Sequence, residues 1–140
     1  MTSGNLEKLV SAKQLKAEPP DRKEFDGLVR SGRARLADAR NAGLAFESRF
    51  DLGYNAAHAL ALAALRRHGY RSENRYIVFQ CLTHTLGLGP EHWRVLALAH
   101  ERRNAAEYKG ELQTDDRLLA DVLRVAELAL AKLNELGPPN

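Results

Sequence analysis

Apolar residues recur every three or four positions along most of this chain, and nowhere do they alternate at period two for long enough to build a sheet. Phe25, Leu28, Val29, Leu36 and Ala39 share one side of a helix running through "FDGLVRSGRARLADARNAG". Asp21 followed by Glu24 gives it a capping-box-like start, with acidic groups where the helix dipole favours them. Gly27 and Gly32 weaken it and Gly43 marks its stop. A second helix begins near Ser48, with Asp51 three residues on, and ends at Gly69. Its stripe is Phe50, Tyr54, His58, Ala61 and Leu65, with Leu62 at the edge.

"SENRYIVFQCLTHTLG" predicts a third helix from Ser72 to Gly87, although "RYIVFQCL" taken alone also has strand-like content. The fourth opens with Pro90 in its first turn and closes at Gly110. The last starts after Thr114 and turns Leu118, Leu119, Val122, Ala126, Ala129, Leu130 and Leu133 inward until "GPPN" ends it. "AEPPD" sets off a short N-terminal helix over residues 5–15. The pattern predicts an all-α fold, an antiparallel four- to five-helix bundle, with an arm over residues 1–18 and the bundle over 19–140.

Composition adds bounds. A chain of 140 residues with 44% hydrophobic and 28% charged residues suits one globular domain. Its net charge of +3 permits an acidic partner but is far below that of a committed nucleic-acid binder. One cysteine, Cys81, allows no internal disulfide and no Cys-rich metal site. No signal-peptide-like stretch and no run of membrane-span length is present, so a soluble, cytoplasmic protein without a membrane partner is expected. The five histidines are scattered, and Cys81 with His84 is two ligands short of a tetrahedral site. No metal or other cofactor is expected, and a thiol inside "VFQCL" reads as packing. "LGLGP" lacks the lysine and spacing of a phosphate-binding loop.

Two stretches carry candidate chemistry. "RRHGYRSENR" gathers Arg66, Arg67, Arg71 and Arg75 around one loop with Tyr70 and Tyr76. Arginine and tyrosine suit phosphate contact and base stacking, while a solvated turn is the commoner use of such a segment. "HERRNAAEYKG" is the other. At 100° per residue, Trp93, Leu96 and Ala97 share a face with His100, Arg103, Asn104, Glu107 and Tyr108. Arg102 points roughly opposite and is expected in solvent. A stripe that is apolar and then polar is either a helix end leaving the core, with Arg103 and Glu107 as an i, i+4 pair, or the lining of an anion-holding groove.

Taken together, "SRFDLGYNAAHALALAALRRHGYRS" and "RRNAAEYKG" resemble the second helix and the late Arg-Asn motif of HEPN-domain proteins, in the family's order over roughly residues 20–135. The resemblance implies a four- to five-helix bundle, a homodimer, and the late motif near the dimer cleft. Many members are metal-independent ribonucleases, often toxins paired with a nucleotidyltransferase-type antitoxin, and their motif is Arg, four to six residues, then His. Here Arg103 is followed by Asn-Ala-Ala-Glu and then Tyr108.

A phenol with a pKa near about 10 is a poor base at neutral pH. His100 lies one turn before Arg103 on the same face. The family has non-catalytic members with an Arg-to-Tyr motif. The resemblance therefore implies a non-catalytic domain that binds a partner protein or a nucleotide or RNA phosphate. The cleft would be lined by Arg103, Asn104 and Tyr108, with Asp51 and Tyr54 from the second helix. Two alternatives stand beside it. One is a ribonuclease toxin in which Arg103 stabilises phosphate and His100 or Tyr108 moves the proton. The other is a structural bundle whose polar stripe is a buried network.

Overall fold

The fold is known from a computed structural model, which describes residues 2–112 and 114–140. Helix α3 (Phe46–Arg67) is the central element. It buries Phe50, Tyr54, Ala61 and Leu65 of the expected stripe, leaves His58 half-buried, and also buries Ala56, Ala57, Leu60, Ala63 and Ala64. Alanines on every side let its neighbours approach closely, so this helix is enclosed rather than amphipathic.

Helix α2 (Arg22–Ala39) lies along one side of α3 and α7 (Asp116–Leu136) along another. Two glycines permit these approaches. A Cβ on Gly32 of α2 would stand 2.7 Å from Leu60 Cγ, and one on Gly53 of α3 would stand 2.9 Å from Leu123 Cδ2. Gly32, which weakens α2 as an isolated helix, is what lets α2 pack.

Several ends fall where the sequence puts them. The Asp21 carboxylate accepts from the backbone N–H groups of Lys23 and Glu24 and caps α2. Helix α6 (Pro90–Lys109) starts on Pro90 and ends at Gly110, whose φ of 71° is left-handed. Helix α7 is capped by the Asp115 carboxylate, which accepts from Leu118 N–H.

Others differ. Helix α2 stops at Ala39 and turns through residues 40–45, so Gly43 lies beyond its end. Helix α3 begins at Phe46, two residues before Ser48, and its N-cap Ala45 makes no side-chain bond. Asp51 is thereby placed inside the helix, free to reach another element. The third predicted helix is two pieces, α4 (Arg75–Gln80) and α5 (Leu82–Thr85). At Cys81 the backbone stays right-handed, but the ladder tightens to an i, i+3 bond from His84 N–H to the Cys81 carbonyl, 2.8 Å. The β-branched and aromatic run "YIVF" supports a long helix poorly.

The N-terminal arm is α1 (Thr2–Ser11), earlier than the expected 5–15. Its Leu6 is fully buried, and Leu15 just beyond it joins the same core cluster. Two-residue strands β1 (Lys16–Ala17) and β2 (Tyr70–Arg71) pair antiparallel, a small sheet that no periodicity announced. The arm thus docks on its own bundle, and among the described residues no helix is long and apolar enough to cross a membrane.

Arg66 fixes the junction. Its side chain is 1% exposed at the end of α3. Nε donates to Glu24, Nη1 to the Glu18 carbonyl at 2.9 Å, and Nη2 to the Pro19 carbonyl at 2.7 Å. Arg71 binds both Glu18 and Glu24. Arg67 donates to the carbonyls of Leu136 and Gly137 and closes the end of α7. Three arginines of "RRHGYRSENR" are therefore engaged within the fold, Arg66 buried and Arg67 and Arg71 half-buried; they tie chain segments together.

Candidate functional site

Asp51, Tyr54 and Asn55 advance along one side of α3, and His100, Arg103 and Asn104 along the facing side of α6. Arg75, the first residue of α4, closes the cluster from a third direction. Tyr54 lies at the centre, 1% exposed. The guanidinium of Arg75 stands 5.3 Å from its ring centroid and that of Arg103 stands 5.4 Å away. Both are within cation–π range of one buried phenol.

Hydrogen bonds set the positions. Arg103 Nε donates to Asp51 Oδ1 at 2.7 Å, and Nη1 to Glu107 Oε1 at 2.8 Å. The bond to Asp51 raises the Arg103 pKa further, so its charge is permanent. Arg75 Nη1 donates to Asn55 Oδ1 at 3.0 Å. His100 stacks on Tyr54, its Nδ1 2.6 Å from the Tyr54 hydroxyl and its Nε2 3.2 Å from Asn104 Nδ2.

An imidazole that accepts from the Asn104 amide at Nε2 carries its proton on Nδ1, which then donates to the phenol oxygen. This arrangement requires neutral His100. Burial, followed by the charges of Arg75 and Arg103, holds its pKa below the ordinary histidine value. Burial likewise raises the Tyr54 phenol, against the opposing pull of the two arginines. Beneath the cluster Phe79 of α4 meets Tyr54, His58 and His100 edge-on. His58, half-buried against that ring, is pushed down to about 4 by burial and by Arg75.

The structure therefore brings together Asp51, Tyr54, His100, Arg103 and Asn104 from the sequence-derived set. Tyr108 does not join them; it is 87% exposed near the end of α6. Arg102 corrects an expectation: it is half-buried, and its Nε is closed off from solvent without a partner among the described residues. Arg75 and Asn55 were missed as members of the site. Asn55 sits one residue past Tyr54, and the loop cluster containing Arg75 was visible, but neither helical spacing nor charge shows which of four arginines turns toward α3.

Beside Arg103 an open groove of ≈ 370 Å³ runs between α3 and the end of α6. Phe50, Ala106 and Leu112 give it an apolar floor, and Glu47, Asp51 and Glu107 outnumber Arg103 along its edge. Among the described residues no group of three or more His, Cys, Asp or Glu is arranged to hold a metal ion. Cys81 is buried, and burial pushes its thiol up to about 11, which leaves it protonated and unreactive at neutral pH. No family model, no curated protein and no solved structure matches the chain.

Proposed function

We propose that the chain is a HEPN-like, non-catalytic helical domain that binds a nucleotide or RNA phosphate on the face shared by α3 and α6. The observation that carries this reading is the pair of guanidinium groups, Arg75 and Arg103, set over one buried phenol from two different helices. Guanidinium forks match phosphate oxygens, and both are held in place by their bonds to Asn55 and Asp51 before any ligand arrives. Asn104 adds an amide at the rim.

A ribonuclease needs a group ready to take a proton from a 2′-hydroxyl. Both ring nitrogens of His100 are engaged, by Tyr54 and by Asn104, and Tyr108 is remote from them. These contacts favour binding over cleavage. The same proposal carries the partners that the resemblance implies, a second copy of the chain and a nucleotidyltransferase-type antitoxin, with exposed Tyr108 and the end of α6 open to either.

The test is titration of a short, labelled single-stranded RNA at low salt. Arg103→Ala and Arg75→Ala are each expected to weaken binding by about tenfold or more, the cost of one charged contact. Absent binding, or binding indifferent to both changes, overturns the reading. Induced expression in bacteria is expected to leave growth and cellular RNA intact. Growth arrest relieved by Arg103→Ala would instead establish the ribonuclease alternative.

A further inference from the structure

On the other side of the first turn of α4 lies a second groove, of ≈ 550 Å³, between the N-terminal arm, α4–α5 and the start of α6. Its composition differs from that of the Arg103 groove. Leu9, Ile77 and Trp93 form an apolar floor, Tyr76 stands at its mouth, and Gln14 and Gln80 present uncharged amides. Thr83 and the imidazole of His84 complete the lining, and among the described residues no Asp, Glu, Lys or Arg is part of it. Tyr76 is 43% exposed, although it is a large aromatic in the first turn of a helix. Its ring packs at right angles to Trp93, 6.0 Å between centroids at 87°, and still stays open to solvent.

An open aromatic face over an apolar floor, with neutral donors and acceptors at the rim, matches a planar heterocycle that carries no charge. A free phosphate or an acidic peptide would find no Lys or Arg there, only the His84 imidazole. A lipid chain would leave the amides unpaired.

Position connects this groove to the phosphate face. Arg75 and Tyr76 are consecutive residues; Arg75 reaches toward Tyr54 and Tyr76 toward Trp93. We infer that the Tyr76–Trp93 groove is a nucleobase subsite, taking one base of a single-stranded RNA whose phosphate lies on Arg75 and Arg103. This rests on the phosphate reading and sharpens it, since a strand with an unstacked base fits both features and a bare phosphate fits only one. Stacking on an aromatic side chain is tolerant of sequence, and the amides of Gln14 and Gln80 supply the means of reading a base edge.

Trp93 is the only tryptophan in the sequence and lies in the groove, so its fluorescence reports on occupancy. The experiment compares a six-nucleotide RNA with an abasic ribose-phosphate oligomer of equal length. The RNA is expected to bind at least about fivefold tighter than the abasic oligomer and to quench Trp93, in line with the usual worth of one stacked base. Tyr76→Ala is expected to bring the RNA down to the abasic affinity while leaving the abasic oligomer unaffected, and Tyr76→Phe to bind as the unmodified protein does. Equal affinities for the two oligomers without quenching, both still dependent on Arg103, would overturn the base subsite and leave the phosphate reading standing. Failure of both oligomers to bind would overturn the two together. Loss of abasic binding in Tyr76→Ala would show Tyr76 to act on the phosphate face and would also refute the subsite.

Discussion

The Tyr54 hydroxyl on α3 and Nδ1 of His100 on α6 meet at 2.6 Å, with the two rings stacked 6.0 Å apart. The bond joins two helices at a point where Tyr54 is buried and His100 half-buried, so the phenol depends on the imidazole for a partner. Tyr54→Phe keeps the packing and removes the acceptor, leaving a donor without a partner. The expected loss is about 1–2 kcal/mol, read from the urea midpoint. In a double-mutant cycle with His100→Leu the second change should cost less than it does alone. Strict additivity would show the contact to be energetically silent.

His58 gives the stability a defined pH dependence. Its pKa is near 4 in the folded chain, against an ordinary value of 6.5, because burial and Arg75 disfavour the charged ring, with His100 adding to the effect. Between those values the unfolded chain binds more protons than the folded one, so stability is complete above about 6.5 and falls as pH drops toward 4. The full effect is at most about 3 kcal/mol. The carboxylates that Arg66 and Arg71 hold below the usual range, Glu18 and Glu24, lose their contribution only at more acid pH. Denaturation of the unmodified protein and of His58→Leu from pH 7.5 to 4.5 checks this. The slope should be shallower in the variant, the remainder belonging to His100, whose pKa is also lowered, and an unchanged slope would exclude His58 as a source.

Arg66 is the side chain on which attachment of the N-terminal arm depends. Removing it leaves the carbonyls of Glu18, Pro19 and Tyr70 without their donor, while Glu24 keeps Arg71. Arg66→Met is expected to cost at least about 2 kcal/mol, the penalty for buried carbonyl acceptors left unpaired. Because Tyr70 is tied to Glu7 on α1, hydrogen exchange over residues 4–17 should rise more than over α7. A uniform rise along the chain would mean that Arg66 supports the whole bundle rather than the arm.

The contrast between Arg66 and the helix ends explains what the sequence discloses. Asp21, Pro90, Gly110 and Asp115 act on backbone groups within four residues of themselves, so their roles are local and legible. The stripes of α3 and α7 are legible because a helix repeats its faces. An arginine reaches across several ångströms to groups tens of residues away, with no periodic trace. Arg66 and Arg75 stand nine residues apart in one basic cluster, yet one is buried among carbonyls and the other joins the Tyr54 site. The same holds for Asp51, which resembles a first-turn acid in sequence and is instead the carboxylate that orients Arg103.

Glu107 provides a direct probe of the phosphate face. Its carboxylate occupies Nη1 of Arg103, yet its side chain is 56% exposed, so an arriving phosphate can displace it at little structural cost. Asp51 differs, because it fixes Nε from a neighbouring helix and sets where the guanidinium points. Glu107→Gln removes a competing charge from a solvent-screened pair, and RNA affinity is expected to rise about two- to fivefold with stability within about 0.5 kcal/mol of the unmodified protein. Asp51→Asn is expected to weaken binding by loosening Arg103. Affinity titrations of both variants at two salt concentrations separate the effects: the gain from Glu107→Gln should shrink as salt rises. Unchanged or weaker binding by Glu107→Gln would mean that the phosphate does not take the place of that carboxylate on Arg103.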